Sequence, residues 1–191
     1  MSQNFLLNAS FHLLLNTIDH ELADQTKQQG CLFCGCKLHL ADYPRSPFGI
    51  APAFRDSYKS RLSFCCGTCR KRTTPPSVRF FGQRWVPAPL LIFISVLMHG
   101  VNQRRCEQLK RFFGITVSES TLRRWQRWWR ELFVKTSFWQ QAKGLFPPSN
   151  QMMRGPFPRV LLNQFEGKVR EKIILLLRFL APLTAGVLRA V

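Results

Sequence analysis

Cys31-Leu-Phe-Cys34-Gly35 and Cys66-Gly-Thr-Cys69-Arg-Lys-Arg72 are the two stretches that decide how this chain is read. A C-x-x-C turn delivers two sulfurs from one tight bend, and two such turns supply the four thiolates that Zn2+ takes in a tetrahedron. Gly35 suits a bend whose N–H groups point at the sulfurs. The spacing predicts one structural Zn2+ held by Cys31, Cys34, Cys66 and Cys69. Cys36, Cys65 and His39 compete as ligands, because Cys36-x-x-His39 is itself a ligand-like pair. A Cys31/Cys34/Cys36/His39 set, or a second ion, therefore stays open. Catalytic zinc keeps an open position and usually employs His or carboxylate. The H-x-E and P-C-x-x-C pair of nucleobase deaminases is absent.

Downstream, residues 103–113 place Cys106, Leu109 and Phe113 on one face, and Gly114 ends the pattern. A turn over 115–118 follows, with Ser118 or Ser120 able to cap the next helix and Glu119 suited to its positive end. Over residues 118–133, at about 100° per residue, Arg123, Arg124, Arg127 and Arg130 share one side. Leu122, Trp125, Trp129, Leu132 and Phe133 share the other, with Trp128 at its edge. A helix packed on one face and lined with long donors on the other suits the major groove of DNA. Arginine pairs bidentately with guanine, and residues near the helix start usually reach bases. The predicted nucleic-acid contacts are therefore Ser120, Thr121, Arg123, Arg124, Arg127 and Arg130, with Glu119 beside them. Arg70, Lys71 and Arg72 are expected to meet phosphates, as are Arg79/Arg84 and Arg104/Arg105/Lys110/Arg111.

The bulk composition agrees with a polyanionic partner. The chain has 191 residues, of which 28 are Lys or Arg and 10 are Asp or Glu, a net charge of +18. That excess repels itself unless screened, and nucleic acid is the commonest screen. Apolar residues make up 46%, enough to build a core. Seven cysteines, an odd number, fit metal binding in a reducing cytosol better than disulfides. No secretory leader is recognised: the apolar run 11–15 is short and Asp19, His20 and Glu21 follow it. Residues 88–98 are too few to span a bilayer, and Arg178, Pro182 and Arg189 interrupt 173–191. No membrane association is expected. The carboxylates are scattered, there is no P-loop or G-x-S-x-G, and no histidine has an evident nucleophile, so no enzymatic activity is expected.

The expected fold is mixed and mainly α: a small zinc ribbon, a helical helix-turn-helix domain and a C-terminal helical segment. Residues 1–30 form an N-terminal helical extension, with a helix over 4–24 and a polar joint over 25–30. The ribbon occupies 31–86, with an extended loop over 41–61 and a turn plus short strand over 70–85. The helix-turn-helix domain occupies 87–143 and opens with a buried helix over 90–98. Residues 144–191 form a Pro-rich linker, to 158, and a final helix or two broken near Pro182.

These motifs resemble bacterial insertion-sequence proteins, in which a zinc ribbon (C-x-x-C-G, then C-x-x-C and basic residues) precedes a helix-turn-helix. The matching stretches are Cys31 to Gly35, Cys66-Gly-Thr-Cys69-Arg-Lys-Arg-Thr-Thr-Pro-Pro-Ser and Ser118-Glu-Ser-Thr-Leu-Arg-Arg-Trp125. The resemblance covers about residues 31–135. It implies recognition of element ends and cooperation with a separate transposase or integrase. No acidic catalytic domain follows Pro147, so it points to a transposition accessory or regulatory protein, or a truncated relative. The expected partner is double-stranded DNA, in the cytoplasm at the nucleoid. A homodimer stays open and would show as a palindromic site. Two other readings remain: a non-catalytic assembly subunit using residues 160–191, and an RNA-binding protein.

Overall fold

Helix α1 (Ala9–Gln29) carries Phe11, Leu15, Ile18, Ala23 and Thr26 at helical spacing, and all five are buried. Burying a Phe, Leu or Ile side chain contributes about 1.5–3 kcal/mol, so this stripe seats the helix. Asn8 caps its start by accepting the Phe11 N–H at 3.3 Å. The computed structural model describes residues 7–45, 50, 52–81, 86–89, 103–113, 116–146 and 158–185. The helix expected over 90–98, Arg84, Gly114, Ile115 and most of the expected 144–158 linker lie outside them. The chain divides into two compact units, Met1–Pro89 with Leu177–Val191, and Leu90–Leu176. Among the described residues it is mainly helical with a small sheet region.

In the first unit, α1 runs through the expected polar joint and ends at Gln29. Thr26 is buried there and donates its hydroxyl to the Leu22 carbonyl at 2.9 Å, a bond internal to the helix. Gly30 terminates it at φ 78°, a conformation glycine adopts without steric cost. A Cβ on Gly30 would stand 2.8 Å from the Gly35 carbonyl oxygen, so two backbones meet closely here.

Strands β1 (Leu38–Leu40), β4 (Phe64–Cys66) and β5 (Arg72–Thr73) form an antiparallel sheet in the order β1-β4-β5. Its register pairs Leu38 with Cys66, His39 with Cys65, and Cys65 with Arg72. Side chains alternate across a strand, so Leu38, Phe64, Cys66 and Thr73 face inward while His39, Cys65 and Arg72 form the outer row. The expected loop over 41–61 is more ordered than its prolines suggested. It holds β2 (Tyr43–Pro44), a 3-10 helix (Pro52–Tyr58) and β3 (Ser60–Arg61), with β2 and β3 paired. Tyr58 explains the order: it is buried, meets His12 Nδ1 at 2.9 Å through its hydroxyl and packs edge-on against Phe80. Strands β6 (Phe80–Phe81) and β7 (Val86–Pro87) pair with each other.

Asp19 adds a polar centre to this unit. Its carboxylate is 0% exposed and accepts from the Ser77 hydroxyl at 2.6 Å, the Val78 N–H at 2.6 Å and Arg79 Nε at 2.8 Å. Arg79, also buried, donates further to the Ser57 carbonyl. Arg61 is buried as well, donating to the carbonyls of Pro75 and Thr184, and burial lowers its affinity for the proton. Thr184, in the 3-10 turn Ala181–Thr184, accepts the Ser77 N–H at 2.7 Å.

The second unit contains α2 (Gln103–Phe113), α3 (Glu119–Arg127), α4 (Ser137–Ala142) and α5 (Arg159–Leu162). Helix α6 (Val169–Leu180) begins in it, and from Leu177 its residues belong to the first unit. Leu109, Val117, Leu122, Trp129, Phe133 and Trp139 are buried. Ring contacts chain Trp129, Phe133, Trp139, Phe146 and Phe165 at centroid separations of 5.0–6.1 Å. No described helix is long and apolar enough to cross a membrane.

Candidate metal centre and nucleic-acid interface

The two cysteine turns are built alike. In the first, the Gly35 N–H donates to the Cys31 carbonyl at 2.7 Å, and in the second the Arg70 N–H donates to Cys66 at 3.2 Å. The Cys31 N–H reaches the Cys36 carbonyl at 2.9 Å, and the Cys66 N–H reaches Lys71 at 3.0 Å. Each turn needs a left-handed residue after its second cysteine: Gly35 at φ 69° and Arg70 at φ 58°. The first leads into β1 and the second joins β4 to β5, so the β1–β4 pairing carries both to one end of the sheet.

The four sulfurs of Cys31, Cys34, Cys66 and Cys69 lie within 4.8 Å of one another. Cys31–Cys69 and Cys34–Cys66 are each 3.5 Å apart, too far for a disulfide. A tetrahedral ion with metal–sulfur bonds of ~2.3 Å places its sulfurs ~3.8 Å apart, so the cluster fits a single metal ion. It is also the one such group among the described residues. Cys36 and Cys65 direct their thiols to the Cys34 and Arg70 carbonyls instead, and His39 lies against Gly67.

Electrostatics separates the thiols within each turn. Cys31 is held below its ordinary 9.0, chiefly by the Phe33 N–H, with burial opposing and the Cys34 N–H helping. Cys66 is drawn down to about 6, first by the Cys69 N–H, which lies 3.4 Å from its sulfur. In Cys34 the pull of the Cys36 N–H is outweighed by the Cys66 thiol and burial, and the thiol is pushed up to about 12. Cys69 is raised too: the Lys71 N–H pulls down, but burial and the neighbouring thiols prevail. The first cysteine of each turn ionises readily and the second resists. Cys31, Cys34, Cys66 and Cys69 would hold a divalent cation, whose charge would favour the thiolate form of all four.

Helix α3 begins as its sequence suggests. The Ser118 hydroxyl accepts the Thr121 N–H at 3.3 Å, and Glu119 occupies the first turn. Leu122 points inward, while Ser120, Arg123, Arg124, Arg127 and Arg130 are exposed and Thr121 half-exposed. Arg123 pairs with Glu119 at 2.9 Å and Arg127 with Glu131 at 2.7 Å, both along their own helical face. Arg124 donates to the Thr121 hydroxyl. The Arg127 hydrogen bond holds the Glu131 carboxyl below its usual range. One expectation fails: Leu132 does not share the buried side but is 56% exposed. The α-helix stops at Arg127, and Trp128–Leu132 form a π-helical turn before the 3-10 turn Phe133–Lys135. The wider i→i+5 turn shifts the angular phase, rotating Leu132 outward while Trp129 and Phe133 stay buried.

The run Arg70-Lys71-Arg72 divides into three environments. Arg70 is exposed in its left-handed turn. The Lys71 ammonium lies 4.3 Å above the Phe33 ring, joining the two turns. Arg72 donates to the Ala41 carbonyl and Ser63 hydroxyl and covers the Tyr43 ring, so it clips the sheet to the following loop. Arg79, expected to meet phosphate, is instead buried against Asp19, a pairing that sequence reasoning did not single out, nor did it single out Phe33 or Tyr43. The signal for Asp19 was present: it lies one helical turn after the buried Leu15, on the apolar stripe. No protein-family model, curated protein or solved structure matches this chain.

Proposed function

We propose that this chain is a zinc-containing, non-enzymatic protein that binds duplex DNA. Its four-cysteine lobe serves as a zinc ribbon, and α2 with α3 acts as a helix-turn-helix. Four sulfurs with no His or carboxylate among them favour a closed structural zinc site over a catalytic one. The observation that carries the DNA reading is α3 itself. It is capped by Ser118, anchored by Leu122 and followed by buried Trp129, and it presents Ser120, Thr121, Arg123, Arg124 and Arg127 outward. Bases are reached from the first turns of such a helix, and Arg130, Arg70 and Lys71 add phosphate contacts. The resemblance to insertion-sequence proteins makes a transposition accessory or regulator at the nucleoid the working role, beside a separate transposase or integrase.

Selection from a random duplex pool at physiological salt tests the reading. An enriched motif is expected, and Arg123→Ala with Arg127→Ala should erase it while the fold persists. An unchanged motif in that double variant would remove α3 from base reading. Enrichment only from an RNA pool would replace duplex DNA with RNA.

A further inference from the structure

The tip of the first cysteine turn is apolar and outward. Leu32 and Phe33 are 55% and 57% exposed, on a turn flanked by Cys31 and Cys34 of the four-sulfur cluster. Lys71, from the second turn, covers the Phe33 ring at 4.3 Å. Arg70 and Lys37 are exposed nearby in the chain, and Gly67 bonds the Lys37 carbonyl, so both turns contribute to one cationic end. No carboxylate occurs between Asp24 and Asp42 or between Asp56 and Glu107. Asp42 is engaged with the Ser63 N–H at 2.9 Å. An exposed aromatic ring with a cation over one face, in a stretch of sequence without carboxylates, is complementary to an unpaired nucleobase and its flanking phosphates. It does not suit a duplex, whose bases offer their faces only to one another.

We infer that Phe33 is a stacking platform for an unpaired base of single-stranded DNA, with Lys71, Arg70 and Lys37 meeting the adjoining phosphates. The inference extends the DNA reading above and rests on it for the identity of the polymer. It assigns the cysteine lobe a contact separate from the one α3 makes. Lys71 positions the ring as well as supplying charge, because its ammonium attracts the ring face it covers.

The test is binding of the full-length, zinc-loaded protein to a fluorescent oligothymidylate, beside the selected duplex, with bound zinc measured in every variant. Phe33→Ala should weaken oligothymidylate binding roughly 5- to 150-fold, the range of one lost stacked base. Zinc content and duplex affinity should not move, and Phe33→Trp should keep the affinity. Arg123→Ala with Arg127→Ala should do the reverse, sparing the oligothymidylate. Unchanged oligothymidylate binding in Phe33→Ala overturns the platform. Equal loss for both ligands also overturns it, since a general phosphate effect would then suffice. A preference for oligouridylate over oligothymidylate overturns the DNA assignment. Loss of duplex selectivity in the wild type, with Phe33-dependent oligothymidylate binding retained, would sink the α3 reading and leave this one standing.

Discussion

The two units use charged and polar side chains in opposite ways. In the first, Asp19, Arg79, Arg61 and the sulfurs of Cys31 and Cys66 are buried, each held by bonds from different parts of the chain. In the second, Arg123 and Arg127 are exposed and paired with carboxylates four residues away in the chain. The core beneath them is a chain of aromatic rings. Buried polar groups are costly to leave unpaired and therefore specify structure. Exposed ion pairs contribute little and are easily exchanged. The buried polar groups of the first unit fix geometry, whereas the arginines of α3 stand in solvent.

Removing a metal ligand should break this contrast most severely. Cys34→Ser is expected to lose stoichiometric zinc and unfold residues 31–86, while the aromatic core of the second unit keeps its near-ultraviolet signature. Structural zinc contributes about 10–16 kcal/mol in isolated fingers at neutral pH, more than the lobe's few buried side chains replace. Retained metal with an unaltered spectrum would mean other ligands hold it. The pH dependence has a definite sign. Protons compete with a metal ion for all four thiols, so ligation is lost as pH falls. Metal uptake measured with Co2+ should therefore fall steadily on acidification.

Asp19→Ala comes next. It strands the buried Arg79 guanidinium, the Ser77 hydroxyl and the Val78 N–H together, and breaking a buried pair from one side costs about 3–5 kcal/mol. Denaturant unfolding measures it. A loss below about 1 kcal/mol, the range of an exposed pair, would show that Asp19 is not the anchor its bonds describe. The corresponding exposed pair, Arg178 with Glu21 at 3.3 Å, serves as the control in the same unit.

What the sequence revealed follows the same division. Cysteine spacing is a short-range signal, because each turn fixes its own pair of sulfurs, so the four cysteines that gather were singled out, with Cys36 and His39 left open beside them. Ser118 as a cap and α2 over residues 103–113 were legible for the same reason. The end of α1 and the order in residues 41–61 were not. Thr26 stays helical through its own bond to Leu22 and its burial, and the 3-10 segment Pro52–Tyr58 is held by Tyr58 with His12, 46 positions apart. The π turn at Trp128–Leu132 was hidden too, since a periodicity argument assumes a constant rotation per residue and a π turn changes it.

A smaller effect sharpens the comparison inside the first unit. Gly35 and Arg70 occupy equivalent left-handed positions, but only glycine does so without strain. A Cβ added at Gly35 meets nothing within 4 Å, so Gly35→Ala isolates the backbone cost, about 1–2 kcal/mol. Arg70→Gly should recover part of that amount in the second turn, offset by the greater freedom of glycine in the unfolded chain. Gly30→Ala should exceed Gly35→Ala, because its new Cβ also meets a carbonyl oxygen. Melting of the zinc-loaded variants orders all three. Equal losses at Gly30 and Gly35 would mean that the close approach of the two backbones relaxes without cost.

The smallest effect on stability belongs to the arginine helix, and its smallness is the point. Exposed pairs four residues apart on a helix contribute about 0.3–0.5 kcal/mol each. Arg123→Ala with Arg127→Ala should therefore shift stability by less than about 1 kcal/mol. The Arg127 pair weakens in acid: Glu131 titrates below its ordinary 4.5, so its contribution is present above that value and lost as pH falls through the lower folded one. On the proposed DNA reading, the carboxylate at neutral pH is a competitor that a phosphate or guanine must displace from Arg127. Glu131→Gln removes this competitor while keeping the side chain's length, and should raise affinity for the selected duplex without changing the motif. Weaker binding in Glu131→Gln would mean that the pair orients Arg127 for its contact, and that this cation is less free than its exposure suggests.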